Sequence, residues 1–162
     1  MKILIRKHIK KQEIWNRLGS AVLHLQQGQL HDREGSLDEA IIDYTRAIHT
    51  DPVCSKAFYL RARVLGKKGD LEGALGDLSE AIRIHPAYAE AYVARAMILS
   101  EKGRVESAIR NLRHALFVGG SGWQYAGRVR ESLKSLKERI YGRDRRSFLH
   151  TVMRIAPAPM GS

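Results

Sequence analysis

The chain has 162 residues, 44% of them apolar, and carries 28 Lys and Arg against 17 Asp and Glu, for a net charge of +11. That length and apolar content suit one folded domain and exclude an intrinsically disordered chain. The charge favours acidic partners, whether nucleic acid, an acidic protein face or a membrane surface, and says nothing about fold. The single cysteine, Cys54, excludes an internal disulfide and fits a reducing compartment.

In chain order, residues 1–20 form a basic extension with six bases and one acid. The apolar patch Ile3–Ile5 is too short for a secretory core, and no run reaches the roughly 20 apolar residues that span a bilayer. A mitochondrial presequence is the alternative, although such segments prefer Arg and Ser and this one is Lys-rich. Trp15, Leu18, Gly19 and Val22 read as an N-terminal helix running into the next element.

From there the chain repeats itself. GSLDEAIIDYTRAIHTDP (35–52), GDLEGALGDLSEAIRIHP (69–86) and GRVESAIRNLRHALFVGG (103–120) align at a spacing of 34 residues. Three units follow without gaps: 21–54, 55–88 and 89–122. In each, large and small residues recur at fixed places. The second unit has Phe58, Ala62, Leu65, Ala74, Leu78, Ala81 and Pro86. The third has Tyr92, Ala96, Leu99, Ala108, Leu112 and Ala115; the first has Gly28, Ala40, Tyr44, Ala47 and Pro52. This pattern resembles the tetratricopeptide repeat family, with large residues at repeat positions 4, 11 and 24, small ones at 8, 20 and 27, and proline at 32.

The resemblance implies an all-α, right-handed α-solenoid of three helix-turn-helix units, each an antiparallel pair of helices A and B. The small positions are where backbones meet, so a large residue at Ala74 or Ala81 would overpack the contact. Pro52 and Pro86 end the second helices. Ser36-Leu37-Asp38-Glu39 reads as a capping box, and Asp70 as a cap of the next helix B. Gly119-Gly120-Ser121-Gly122 reads as a flexible joint.

Beyond the joint, Ala126, Val129, Leu133, Leu136 and Ile140 recur at three and four. They predict one apolar stripe on a capping helix over 123–142, stopped by Gly142. Residues 143–162 read as a basic tail in which Phe148, Leu149, Val152 and Met153 suggest a short helix and APAPMGS disorder. Charge is concentrated at the ends: +5 over 1–20 and +6 over 123–162, with −4 in the first unit and +2 in each of the others.

Candidate sites follow. The resemblance implies a concave groove lined by the A helices, here Leu25, Gln29, Lys56, Tyr59, Leu60, Arg63, Val93, Ala94 and Met97. Such a surface takes an extended peptide or a partner helix, with Arg63 pairing a carboxylate. Lys7, Lys10, Lys11, Arg143, Arg145 and Arg146 are candidates for contact with RNA or an acidic protein surface. A subset of the family clamps acidic chaperone C-terminal tails with Lys, Asn and Arg residues; this chain has Leu25, Gln29, Leu60, Glu90 and Ala94 at those positions, so no such clamp is expected. His24 and His31, seven apart, occupy packing positions and are read as core or edge residues, not metal ligands. Gly-x-Ser-x-Gly, His-Glu-x-x-His and Cys-x-x-Cys motifs are absent. Neither an enzyme nor a cofactor or metal is expected. The reading is an intracellular, most simply cytoplasmic, interaction scaffold, with two alternatives: a component of a ribonucleoprotein such as a mitochondrial ribosome, or part of a longer array such as a ciliary assembly factor.

Overall fold

The computed structural model describes the backbone of residues 2–155 and the side chains of residues 18–140. Among the described residues there are seven helices and no strand: α1 (Lys2–Glu34), α2 (Leu37–Thr50), α3 (Ser55–Lys67), α4 (Leu71–Ile84), α5 (Ala89–Glu101), α6 (Val105–Gly119) and α7 (Ala126–Ile155). The pairs α1–α2, α3–α4 and α5–α6 pack most extensively, and neighbouring pairs stack through α2–α3 and α4–α5, with α7 closing on α6. This is an all-α solenoid.

The corner inside each pair is built the same way. Gly35, Gly69 and Gly103 have φ of 82°, 84° and 74°, a left-handed conformation that a side chain would strain. The residue after each glycine then donates its N–H to a carbonyl five residues back: Ser36 to His31 at 2.9 Å, Asp70 to Leu65 at 3.0 Å and Arg104 to Leu99 at 2.8 Å. Free carbonyls at the end of each A helix are thereby satisfied and the chain turns back at once.

Packing accounts for the small residues. Ala40, Ala47, Ala62, Ala74, Ala81, Ala108 and Ala115 are wholly buried. At Gly28 even a methyl group is too much, since a Cβ there would stand 2.6 Å from the Tyr44 ring. The core is a row of three clusters, each straddling a boundary. Tyr44, Leu60 and Val64 join α2 to α3, Leu78 and Ala91 sit between α4 and α5, and Leu112, Val129 and Leu136 join α6 to α7. Each unit therefore depends on its neighbour for burial.

Three expectations need correction. Ser36 is the N-cap of α2, yet its side chain makes no capping bond, so the capping box is not formed. Asp70 does cap α4, accepting from the Gly73 N–H at 2.9 Å. Helix α7 does not stop at Gly142 but continues to Ile155; one glycine costs a helix only about 1 kcal/mol relative to alanine, too little to break it among good helix formers. The Gly119–Gly122 run is a packed turn, not a free spacer. Gly120 (φ 71°) ends α6, and the Trp123 ring lies so close to Gly119 that a Cβ there would approach it to 2.6 Å.

Tyr44 is fully buried and its hydroxyl has no hydrogen-bond partner among the described residues. Burial, with Asp32 adding to it, pushes its phenol up to about 12 from 10.0. The folded state thus prefers the neutral phenol, a preference fully present below pH 10 and lost as pH rises towards 12. Tyr44→Phe is expected to raise stability at neutral pH by about 1 kcal/mol. It should also reduce the stability loss between pH 10 and 12, as read by urea unfolding across that range.

Candidate functional site

The A helices touch one another, α1 with α3 and α3 with α5, and so share one face of the array. On that face, between α3, α5 and the start of α7, lies a cavity of about 620 Å³. Helical spacing of three and four selects its walls. From α3 come Tyr59, Ala62, Arg63, Gly66 and Lys67; from α5, Glu90, Val93, Ala94, Met97, Ile98 and Glu101. The third wall is Trp123 and Tyr125 of the turn with Arg128, Val129 and Ser132 of α7, while Leu71 and Leu78 of α4 contribute from below.

Its chemistry is apolar with charges at the margin. Met97 is 68% exposed and offers a flexible thioether side chain at the opening. The Arg63 guanidinium stands over the Tyr59 ring at 5.9 Å, and that of Arg128 over the Tyr125 ring, also at 5.9 Å. Such stacking holds an arginine in place while leaving its N–H groups available. Burial pushes the Tyr59 phenol up, with Arg63 opposing, so its hydroxyl stays a neutral donor at physiological pH. The remaining charges are mostly engaged. Lys67 pairs with Asp32, and Glu90 accepts from the Trp123 indole N–H at 3.2 Å.

Five of the nine residues expected in the groove, Tyr59, Arg63, Val93, Ala94 and Met97, line this cavity. The other four do not. Leu60 is 6% exposed and belongs to the core with Tyr44 and Val64, where Leu25 also packs. Gln29 is half-buried and Lys56 exposed, both outside the cavity. The side chains of Lys7, Lys10, Lys11, Arg143, Arg145 and Arg146 lie outside the described residues. His31 Nδ1 sits 2.8 Å from Asp43 Oδ2, and His24 is half-buried with its Nδ1 unpartnered among the described residues. No helix among the described residues is long and apolar enough to cross a membrane.

Sequence reasoning missed the third wall. Trp123, Tyr125 and Arg128 fall outside the repeat register, and only the tight turn at Gly119–Gly120 folds them back over α5. The signal that could have found them is the pairing of a glycine turn with two aromatics immediately after it.

A family model described as tetratricopeptide repeat matches residues 25–89 and 59–117. No curated protein matches the chain. Among solved structures, the fold is similar to the TPR2B domain of yeast Sti1 in complex with an Hsp70 peptide, at 20% identity and a TM-score of 0.70, over 74% of this chain and 98% of that one. It is also similar to the first TPR of Spaghetti (RPAP3) bound to the HSP90 peptide SRMEEVD, at 19% identity and 0.70, over 76% and 95%. A third is the Yersinia enterocolitica translocator chaperone SycD, at 16% identity and 0.69, over 72% and 83%. At these identities the likeness is one of fold.

Proposed function

The chain belongs to the tetratricopeptide repeat family, whose model matches more than half of it, and from that premise we propose that it is a non-enzymatic scaffold that holds a segment of a partner protein in the α3–α5–α7 cavity. The observation that carries this reading is the cavity itself: about 620 Å³, walled by apolar and aromatic side chains, with two stacked arginines that have no carboxylate partner among the described residues. Similar structures with bound chaperone peptides support the general mode. They do not supply the partner. Leu60 is buried here and Glu90, engaged with Trp123, would repel a tail carboxylate, which weighs against a chaperone-tail clamp.

The second reading is ribonucleoprotein assembly through the basic ends, favoured by the charge of +5 over residues 1–20 and +6 over 123–162. One experiment separates them. Wild type and Met97→Glu are used to capture partners from native lysate with and without ribonuclease. Met97 is exposed, so the variant keeps its fold. The expected result is a small set of proteins that survives ribonuclease and falls about tenfold with Met97→Glu, a burial and charge penalty of ordinary interface size. A catch unchanged by Met97→Glu overturns the groove. A catch that collapses on digestion moves the function to the basic ends.

A further inference from the structure

The charged residues around the cavity do not cancel. Lys67 is committed to Asp32 and Glu90 to the Trp123 indole. Arg63 and Arg128 have no ion pair among the described residues, and their contacts are the tyrosine rings beneath them. Glu101 is the remaining carboxylate of the lining and has no ion pair among the described residues. Two cations thus face one anion across a wall that is otherwise apolar.

The placement of those cations matters more than their number. Arg63 belongs to α3 and Arg128 to α7, and α5 stands between these walls with half-buried Val93 and Ala94 and exposed Met97 along the stripe that lines the cavity. A single carboxylate, such as a chain terminus, needs donors converging on one point. Donors on separate walls, with an apolar floor between, suit two carboxylates separated by a hydrophobic side chain. Each guanidinium is held by stacking, so little rotamer freedom is lost when it accepts a partner.

Resting on the groove reading above, we infer that the occupant is an internal acidic segment with one large apolar residue, its anchor, flanked on both sides by Asp or Glu. The anchor inserts among Tyr59, Met97 and Trp123, and the flanking carboxylates meet Arg63 and Arg128. The same charges steer encounter, since the whole chain is positive.

The test is selection from random peptide segments displayed in two formats, inside a carrier loop and with a free C-terminus. The baits are the intact wild-type chain, Met97→Glu and the double variant Arg63→Glu with Arg128→Glu. All three positions are exposed, and thermal unfolding of each bait confirms its fold. The expected result is enrichment, in the loop format, of segments with an apolar anchor between acids. Their binding falls at least about tenfold on the double variant, where lysine-flanked segments take over. Enriched segments that lose binding with Met97→Glu but lack flanking acids, or that require a free C-terminus, overturn this inference and leave the groove reading standing. No enrichment over the Met97→Glu bait in either format overturns both.

Discussion

Arg61→Ala is expected to lower the unfolding free energy by about 3 kcal/mol. Arg61 joins two units. Its Nε and Nη2 donate to Asp77 Oδ2 and Oδ1 at 2.7 and 2.8 Å, and its Nη1 donates to Thr45 Oγ1 at 2.9 Å. Asp77 is only 6% exposed, so truncating Arg61 leaves a carboxylate without its counter-ion inside the fold. The expected loss sits at the low end for a broken buried pair because the Arg61 side chain is itself 21% exposed and water can partly replace it. The third unit supplies the control. There Arg95 makes the equivalent bond, at 2.8 Å, to the neutral amide of Asn111. Asp77→Asn should therefore cost under about 1 kcal/mol, since one Arg61 N–H can keep its bond to the amide oxygen, as Arg95 does with Asn111. Urea unfolding of the two variants decides it: an Arg61→Ala loss no larger than that of Asp77→Asn would show that the buried charge is not what makes the bridge necessary.

Ala81→Trp tests the other half of the architecture. Ala81 is wholly buried on α4 in the cluster shared with Ala62, Leu78 and Ala91. Overpacking a tight core site costs about 1–3 kcal/mol and sometimes more, and exchanging a methyl for an indole belongs at or above the top of that range. In a chain of this length that is a fall in midpoint of about 6–12 °C. Gly76→Trp on the same helix is the control, because Gly76 is exposed and a Cβ there meets nothing within 4 Å. Differential scanning calorimetry should show a drop for Ala81→Trp and almost none for Gly76→Trp. Equal midpoints would mean that the α3–α4–α5 contact is loose enough to admit an indole.

Both predictions concern features with unequal visibility in the sequence. The close contacts were legible because they recur: an alanine that returns every 34 residues where a core helix would carry leucine can only be a meeting point of backbones. The α3 and α5 walls of the cavity were reached through the family resemblance, which implies a groove lined by the A helices and so by Tyr59, Arg63, Val93, Ala94 and Met97. Arg61 was not. A lone arginine on an amphipathic helix reads as solvent-facing, and its fork to Asp77 spans 16 residues and a turn. The glycines at 35, 69 and 103 stood in plain alignment, but their role appears only with their positive φ. Leu60 misled because a groove position and a core position are neighbours on one helix, and a small rotation exchanges them. The α7 wall was hidden because its placement depends on one turn, at Gly119 and Gly120, that occurs once.

Trp123 stands in that wall with its indole N–H on Glu90 and its ring against Gly119. The sequence has two tryptophans, and exchanging Trp15 for phenylalanine leaves Trp123 as the sole indole. The protein then contains its own optical reporter, an emitter fixed between the last repeat and the helix that seals it. Its emission colour and quenching would follow both the arrival of a ligand beside Tyr125 and the peeling away of α7. Occupancy of the groove and integrity of the cap could be watched in one cuvette, without a label.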